Sequence, residues 1–193
     1  MYEVEQKFRV ADVAALERRL VHLAARFREP VEQVDRYFAH PCRDFARTDE
    51  ALRLRRTGDE LAITWKGPRI DTATKTRREL ELPLAAVMGS TSGGPTGRGT
   101  LEQWTELLEA LGFRRVREVA KRRRSARVPW QGTEVDVAVD HVAGLGDFVE
   151  LELQARQGEV PMASACIESL AGELGCTAAE RRSYLELLLT APA

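Results

Sequence analysis

Several kinds of residue that would point directly to a function are scarce in this chain. The three cysteines, Cys42, Cys166 and Cys176, are sparse, odd in number and without paired spacing. That excludes a disulfide framework and a thiolate metal finger, and it fits reduced thiols in the cytoplasm. Net charge is almost absent, 29 Lys and Arg against 30 Asp and Glu, a balance of −1. No global field therefore draws the chain towards nucleic acid or an anionic membrane, and any anion site must be a local concentration of Arg and Lys. No apolar run is long enough to cross a membrane, and no basic segment leads into an apolar one as in a secretory leader. The expectation is a cytoplasmic protein with no nucleic-acid or membrane partner.

What the chain has is charge of both signs. Asp, Glu, Lys and Arg make up 31% and hydrophobic residues 44% of 193 residues, enough to bury a core in a single domain over 1–193. The opening stretch, Met1 to Phe8, alternates. Glu3, Glu5 and Lys7 would share one face of a strand, while Tyr2, Val4, Gln6 and Phe8 share the other. Asp12 can cap a helix carrying Val13, Leu16, Leu20, Leu23 and Phe27, ending before Pro30. A strand over 31–38 follows, then a loop over 39–50 containing His40, Pro41, Asp44 and Asp49. Residues 51–56 alternate Leu52 and Leu54 with Arg53 and Arg55, and 60–66 place Thr64 and Lys66 on one face. A turn is expected at Gly67-Pro68, and then a strand near 74–82 with Lys75, Arg77, Glu79 and Glu81 on one face.

Residues 83–88 suit one or two helical turns, and the glycine-rich stretch 89–99 reads as a flexible loop between two halves. It lacks the Gly-Lys-Ser/Thr ending of a phosphate-binding loop and follows no strand, so that reading is set aside. Thr100 and Gln103 form a capping box for a helix with Leu101, Trp104, Leu107, Leu108 and Leu111, stopped by Gly112. Strands resume over 115–128, with Lys121, Arg123, Ser125 and Arg127 aligned. They continue over 133–142, with Glu134, Asp136 and Asp140, and over 147–154, with Glu150, Glu152 and Gln154. Helices over 161–174 and 177–189 close the chain, the second with a Thr177–Glu180 capping box. The pattern is α+β, in two halves that could each supply half of a closed antiparallel sheet.

Collected, the strand faces carry an acidic set (Glu3, Glu5, Glu79, Glu81, Asp136, Asp140, Glu150, Glu152) and a basic one (Lys7, Arg53, Arg55, Lys66, Lys75, Arg77, Lys121, Arg123, Arg127). Two arrangements fit. The charges can face water on the outside of a sheet packed on helices. Alternatively they can face one another inside a barrel of about eight strands, whose interior holds side chains or one ligand. Such a lumen suits a polyanion gripped by guanidinium forks and ammonium groups, with carboxylates gathering a hard cation such as Mg²⁺. His40 and His141 are expected to be satisfied polar residues rather than catalytic ones. Tyr37 and Phe38 are expected in the core, and Cys42 is expected to be inert.

Glu3-Val4-Glu5-Gln6-Lys7 resembles the Glu-x-Glu-x-Lys signature of the CYTH superfamily, the triphosphate tunnel metalloenzymes. The resemblance to its class IV adenylyl cyclase branch extends over nearly the whole chain. It runs through Asp35–Phe38, His40–Arg56, Trp65–Pro68, Thr74–Arg77 with Glu79 and Glu81, Val139–Glu152 and Arg182–Leu188. It implies one CYTH domain folded as a closed antiparallel eight-stranded β-barrel, a triphosphate tunnel with flanking helices. It also implies metal-dependent conversion of ATP to cyclic AMP and pyrophosphate, with two divalent cations, Mg or Mn, as cofactors. A triphosphatase acting on tripolyphosphate, thiamine triphosphate or a nucleoside triphosphate uses the same tunnel, and a non-catalytic polyphosphate binder is a third alternative.

Residue by residue, Glu3 and Glu5 fall on the family's metal pair, with Glu150 as third carboxylate and Glu152 as a further ligand. Lys7, Arg53, Lys66, Lys75, Lys121 and Arg123 fall on the residues that hold the triphosphate. Asp140 matches an acidic residue beside the active site. Arg55, Arg77, Glu79 and Glu81 lie on the matching faces, whereas Asp136 has no family counterpart and is expected to neutralise lumen arginines. The catalytic set is thus Lys7, Arg53, Lys66, Lys121, Arg123 and Asp140, with Arg55, Lys75 and Arg77 added for substrate binding. The resemblance also suggests a homodimer.

Overall fold

In the computed structural model, the described residues are 2–69, 77–84 and 99–191. Among these residues nine strands run β1 (Tyr2–Arg9), β2 (Arg26–Phe27), β3 (Val31–Ala39), β4 (Ala51–Thr57), β5 (Glu60–Arg69), β6 (Arg77–Pro83), β7 (Arg114–Trp130), β8 (Thr133–Val142) and β9 (Gly146–Ala155). The helices are α1 (Val13–His22), α2 (Phe45–Thr48), α3 (Leu101–Ala110), α4 (Val160–Glu173) and α5 (Tyr184–Thr190). All the strand pairings are antiparallel, and the order β7-β3-β4-β5-β6-β1-β9-β8 closes on itself through β7–β8. This is the expected eight-stranded barrel, with β2 added as a short ninth strand beside β7.

Alternation decides what each wall buries. Val4, Phe8, Val149 and Leu151 point outward into the largest core, where Leu16 and Leu20 of α1 and Ile167 and Leu170 of α4 cover them. On the opposite side, Phe38, Leu52 and Leu54 meet Leu108 of α3 and Phe45 of α2. The barrel is therefore apolar outside, where helices cover it, and its charged faces point in. A third cluster joins Tyr184, Leu187 and Leu188 of α5 to Val119, Val142 and Phe148, which share the inward faces of β7, β8 and β9. α5 thus packs across one end of the lumen on an apolar floor. No helix among the described residues is long and apolar enough to cross a membrane.

Four local expectations are corrected. The helix that begins after Asp12, whose carboxylate accepts from the Ala15 N–H, stops at His22 and does not reach Phe27. Ala24 adopts a left-handed φ of 58°, and Phe27 reaches the same core from β2, paired with Ala126. The loop over 39–50 contains the single turn α2, capped by Asp44. Gly67-Pro68 is no turn: β5 continues to Arg69, and its pairing with β6 shifts register between Lys66 and Arg69. Pro68, which has no N–H, sits where the ladder is already interrupted. A Cβ at Gly67 would stand 3.0 Å from the Trp65 ring and 3.4 Å from the Arg78 carbonyl.

The last correction concerns the box expected at Thr177–Glu180. It forms instead at Ser183 and Glu186, so α5 begins at Tyr184. Ahead of it the chain lies along β1, with Ala179 bridged to Phe8 and the Glu180 N–H donating to the Lys7 carbonyl at 2.6 Å. Pro83 ends β6 and the Leu84 N–H donates to the Leu61 carbonyl at 2.8 Å, while 85–88, the stretch 89–98 and residues 74–76 lie outside the described residues.

Candidate active site

The inward faces enclose a cavity of about 1100 Å³. Glu3, Glu5 and Lys7 of β1, Arg53 and Arg55 of β4, and Thr64 and Lys66 of β5 line it. So do Arg77, Glu79 and Glu81 of β6, Lys121 and Arg123 of β7, and Glu150 and Glu152 of β9. Asp140 lies beneath them, fully buried. Lys75 lies outside the described residues. Arg127 and Asp136 do not join the cavity but pair with each other at 3.2 Å, both about half exposed. β3 stops pairing with β7 at Arg123, so the β7–β8 hairpin projects beyond the ring and its inner face meets water there.

Three knots of charge hold the lumen. In the first, Asp35 of β3 accepts two bonds from Arg55 at 2.6 and 2.7 Å and one from Arg53 at 3.5 Å. Burial favours a neutral Asp35, but Arg53 and Arg55 overcome it and hold its carboxyl well below the usual carboxylate range. In the second, Lys66 stands 2.6 Å from Glu79 and 3.1 Å from Glu3, while Arg53 is 3.8 Å from both Glu79 and Glu81. The Thr64 hydroxyl donates to Glu81 at 2.9 Å. In the third, Arg123 donates to Asp140 at 2.7 and 2.5 Å and to Glu150 at 2.5 Å. Lys121 lies 3.4 Å from Asp140, and burial together with Arg123 pushes its ammonium down to about 8.

Glu3, held by Lys66 at 3.1 Å, also crowds against Glu5 and Glu152 on β1 and β9. Glu5 and Glu152 are directly opposite on β1 and β9, an arrangement of like charges that destabilises an antiparallel pair. Burial, and then the charges of Glu3 and Glu5, push Glu152 up to about 7. Among the described residues no three His, Cys, Asp or Glu side chains converge on a common point. The donor set nevertheless fits a hard divalent cation, because all its groups are carboxylate oxygens and a cation between them would relieve their repulsion.

Asp35 and Tyr184 were missed at the level of sequence. Asp35 had a signal, since it is a carboxylate in a strand sharing a face with Gln33 and Tyr37. Tyr184 lies in the matched stretch Arg182–Leu188, but it enters the site from a helix, where strand alternation gives no sign of it. His40 lines the cavity mouth, but its Nδ1 accepts the N–H groups of Cys42 and Arg43 at 3.0 Å each, so it holds its own loop. His141 is largely exposed and pairs with Asp147 at 2.7 Å, away from the lumen. Phe38 is core, while Tyr37 is half-buried against the α5 cluster and also lines the cavity.

A family model described as CYTH domain matches residues 1–184. A Methanocaldococcus jannaschii protein, named provisionally as an adenylate cyclase, is 33% identical over 152 residues, 79% of this chain and 77% of that protein. Adenylate cyclase CyaB of Aeromonas hydrophila is 29% identical over 194 aligned residues, 96% of this chain and 88% of its own length. Among solved structures, the PH1819 protein of Pyrococcus horikoshii is 38% identical with a TM-score of 0.79, over 97% of this chain and 98% of that one.

Proposed function

This chain belongs to the CYTH domain family, and from that premise we propose that it is a metal-dependent adenylyl cyclase converting ATP to cyclic AMP and pyrophosphate. One observation carries this reading: a closed lumen in which a row of crowded carboxylates on β1 and β9 faces arginines and lysines from β4, β5, β6 and β7. The relatives named adenylate cyclase support cyclisation as the outcome.

Glu3, Glu5, Glu150 and Glu152 would hold the divalent cations, which supply neutralising charge for the polyphosphate and acidify the attacking hydroxyl. Lys7, Arg53, Lys66, Lys121 and Arg123 bind the three phosphates, with Arg55 and Arg77 beside them, and take up the charge that grows on the leaving pyrophosphate. Asp35 and Asp140 keep the guanidinium forks aimed inward. The 3′-oxygen forms a bond to the α-phosphorus, the bond from that phosphorus to the bridging oxygen breaks, and the hydroxyl proton passes to water. The cavity wall holds the two reacting groups in line.

The lining favours phosphate groups throughout, and that favours a second reading on the same residues: a triphosphatase in which water replaces the 3′-hydroxyl. Fold and metal site do not fix which phosphorus is attacked. A purely binding role accords poorly with Glu3, Glu5, Glu150 and Glu152, since an anion receptor gains nothing from four carboxylates. The test is a product-resolved assay with Mg²⁺ or Mn²⁺ and either ATP or tripolyphosphate. Cyclic AMP and pyrophosphate in equal amounts are expected, and orthophosphate without cyclic AMP would overturn the cyclase reading in favour of the triphosphatase.

A further inference from the structure

Strand β7 changes the parity of its inward face, and the change falls at one mouth of the lumen. From Val119 to Arg123 the inward side chains are the odd-numbered ones, Val119 on the α5 floor and Lys121 and Arg123 among the charges. Unbroken alternation would bring Arg117 and Arg115 to the mouth. The pairing with β3 shifts register instead. Tyr37 is opposite Arg117 and Phe38 is opposite Arg115, so Val116 is the extra residue of a β-bulge, a device that re-aims side chains. The outer face shows the same break. Glu118 bonds to Arg36, itself bonded to Glu102 of α3, and Arg115 bonds to Glu109 of α3, so residues three apart face one helix. The side chains that β7 brings to the mouth are therefore Arg114 and Val116.

Helix α5 adds apolar surface to the same cavity. Leu185 and Leu189 stand four apart, one above the other on a helix face, and both line it, whereas Leu187 and Leu188 turn to the barrel floor. Tyr37 also lines the cavity and packs with Leu185 against the α5 cluster. Val116 and Leu189 remain 42% and 53% exposed, which leaves apolar area for a ligand to cover. By contrast, the cavity-lining residues of β1, β5, β6 and β9 are all charged or polar.

We propose that this mouth is a base subsite: Val116, Leu185 and Leu189, with Tyr37 beside them, cover the planar base of a nucleoside triphosphate whose phosphates lie among the charges below. The proposal rests on the lumen being the triphosphate site, and it narrows the substrate class held there. Tripolyphosphate carries nothing that an apolar surface can hold, whereas a nucleotide gains by burying its base. The bulge is what makes the wall apolar, because it places a valine where regular pairing would place an arginine.

The test uses the full chain with Mg²⁺ and two ligands, the bis-methylene analogues of ATP and of tripolyphosphate, whose bridging carbons block both cyclisation and hydrolysis. Wild type is compared by calorimetry with the double variant Val116→Ser, Leu189→Gln, two uncharged changes at partly exposed positions that the fold tolerates. Wild type is expected to bind the ATP analogue more tightly than the base-free one. The double variant is expected to bind the ATP analogue about three- to tenfold more weakly, the effect of returning roughly 25–55 Å² of apolar surface to water, and the base-free analogue within about twofold of wild type. Equal weakening towards both ligands, or an unchanged affinity for the ATP analogue, would overturn the subsite while leaving the triphosphate site intact. An unchanged affinity together with an altered sedimentation coefficient would assign Val116 and Leu189 to contact between copies of the chain instead. Failure of wild type to bind the base-free analogue would overturn the triphosphate site itself.

Discussion

Asp35 and Lys121 are buried ionisable groups held away from their ordinary ionisation in physically opposite ways. At Asp35 the neighbouring guanidinium groups of Arg53 and Arg55 outweigh burial, so its folded pKa lies below the ordinary 3.8. Its contribution to stability is complete above that value and is lost as pH falls below it. Asp35→Asn should flatten this acid limb in urea unfolding. At neutral pH it should cost about 3–5 kcal/mol, because two guanidinium groups lose their buried counter-charge. A loss below about 1 kcal/mol would contradict the knot described here. At Lys121, burial and then Arg123 lower the pKa from 10.5 to about 8, with Asp140 and Glu150 opposing them and Arg55 adding to them. The unfolded chain then binds the proton more tightly, so this group's contribution to stability rises with pH between about 8 and 10.5. Phosphate binding should move the other way. Affinity for tripolyphosphate should decline as pH rises through about 8, and affinity that stays constant to pH 10 would contradict the place given to the Lys121 ammonium.

Among the helices, α5 brings Tyr184, Leu185, Glu186 and Leu189 to the cavity lining. Its start is fixed by the reciprocal Ser183–Glu186 box. Ser183→Ala should cost about 1 kcal/mol, with a fall of about 2–4 °C in melting temperature, and should weaken tripolyphosphate binding because the helix presents Tyr184 to the lumen. An unchanged binding constant beside a lowered melting temperature would separate the cap from the site. The strands were legible in the sequence because a period of two is a strong signal. Glu3, Glu5 and Lys7 alternate with Val4 and Phe8, and every such strand was found at or near its position. What alternation could not decide was whether those charges look inward or outward. That depends on closure of the ring, and the resemblance that runs from residues 3–7 through 182–188 supplied it. The failures came where a local signal fits two structures. Leu23 and Phe27 suit one helix or a helix followed by a strand on the same core. Gly67-Pro68 suits a turn or a bulge. Thr177 and Glu180 have the spacing of a capping box, but Glu180 is drawn off by Arg182 at 2.7 Å. Strand alternation could not select Tyr184, because its neighbours in space come from four strands distant in sequence.

At the scale of the whole molecule, closure of the sheet turns a set of charged strand faces into one site. Apart from Arg127, Glu134 and Asp136 on the projecting hairpin, and Lys75 outside the described residues, each charged residue expected on those faces lines the cavity or lies beneath it. The cost of bringing so many ions together is offset by pairing in three knots, and the crowding of Glu3, Glu5 and Glu152 is what the proposed cation would relieve. Removal of divalent ions with a chelator should abolish turnover while leaving the fold intact. Melting of the chelated protein should occur near that of untreated protein, since the knots at Asp35 and Asp140 are closed by protein side chains, with Glu150 held by Arg123. The most direct measurement is a crystal structure of the protein with Mn²⁺ and a non-hydrolysable ATP analogue, with data collected for manganese anomalous scattering. The account predicts the three phosphates inside the barrel against Lys7, Arg53, Lys66, Lys121 and Arg123, with anomalous density beside Glu3, Glu5 and Glu150. A nucleotide bound outside the barrel, or a filled lumen with no manganese at those carboxylates, would contradict it.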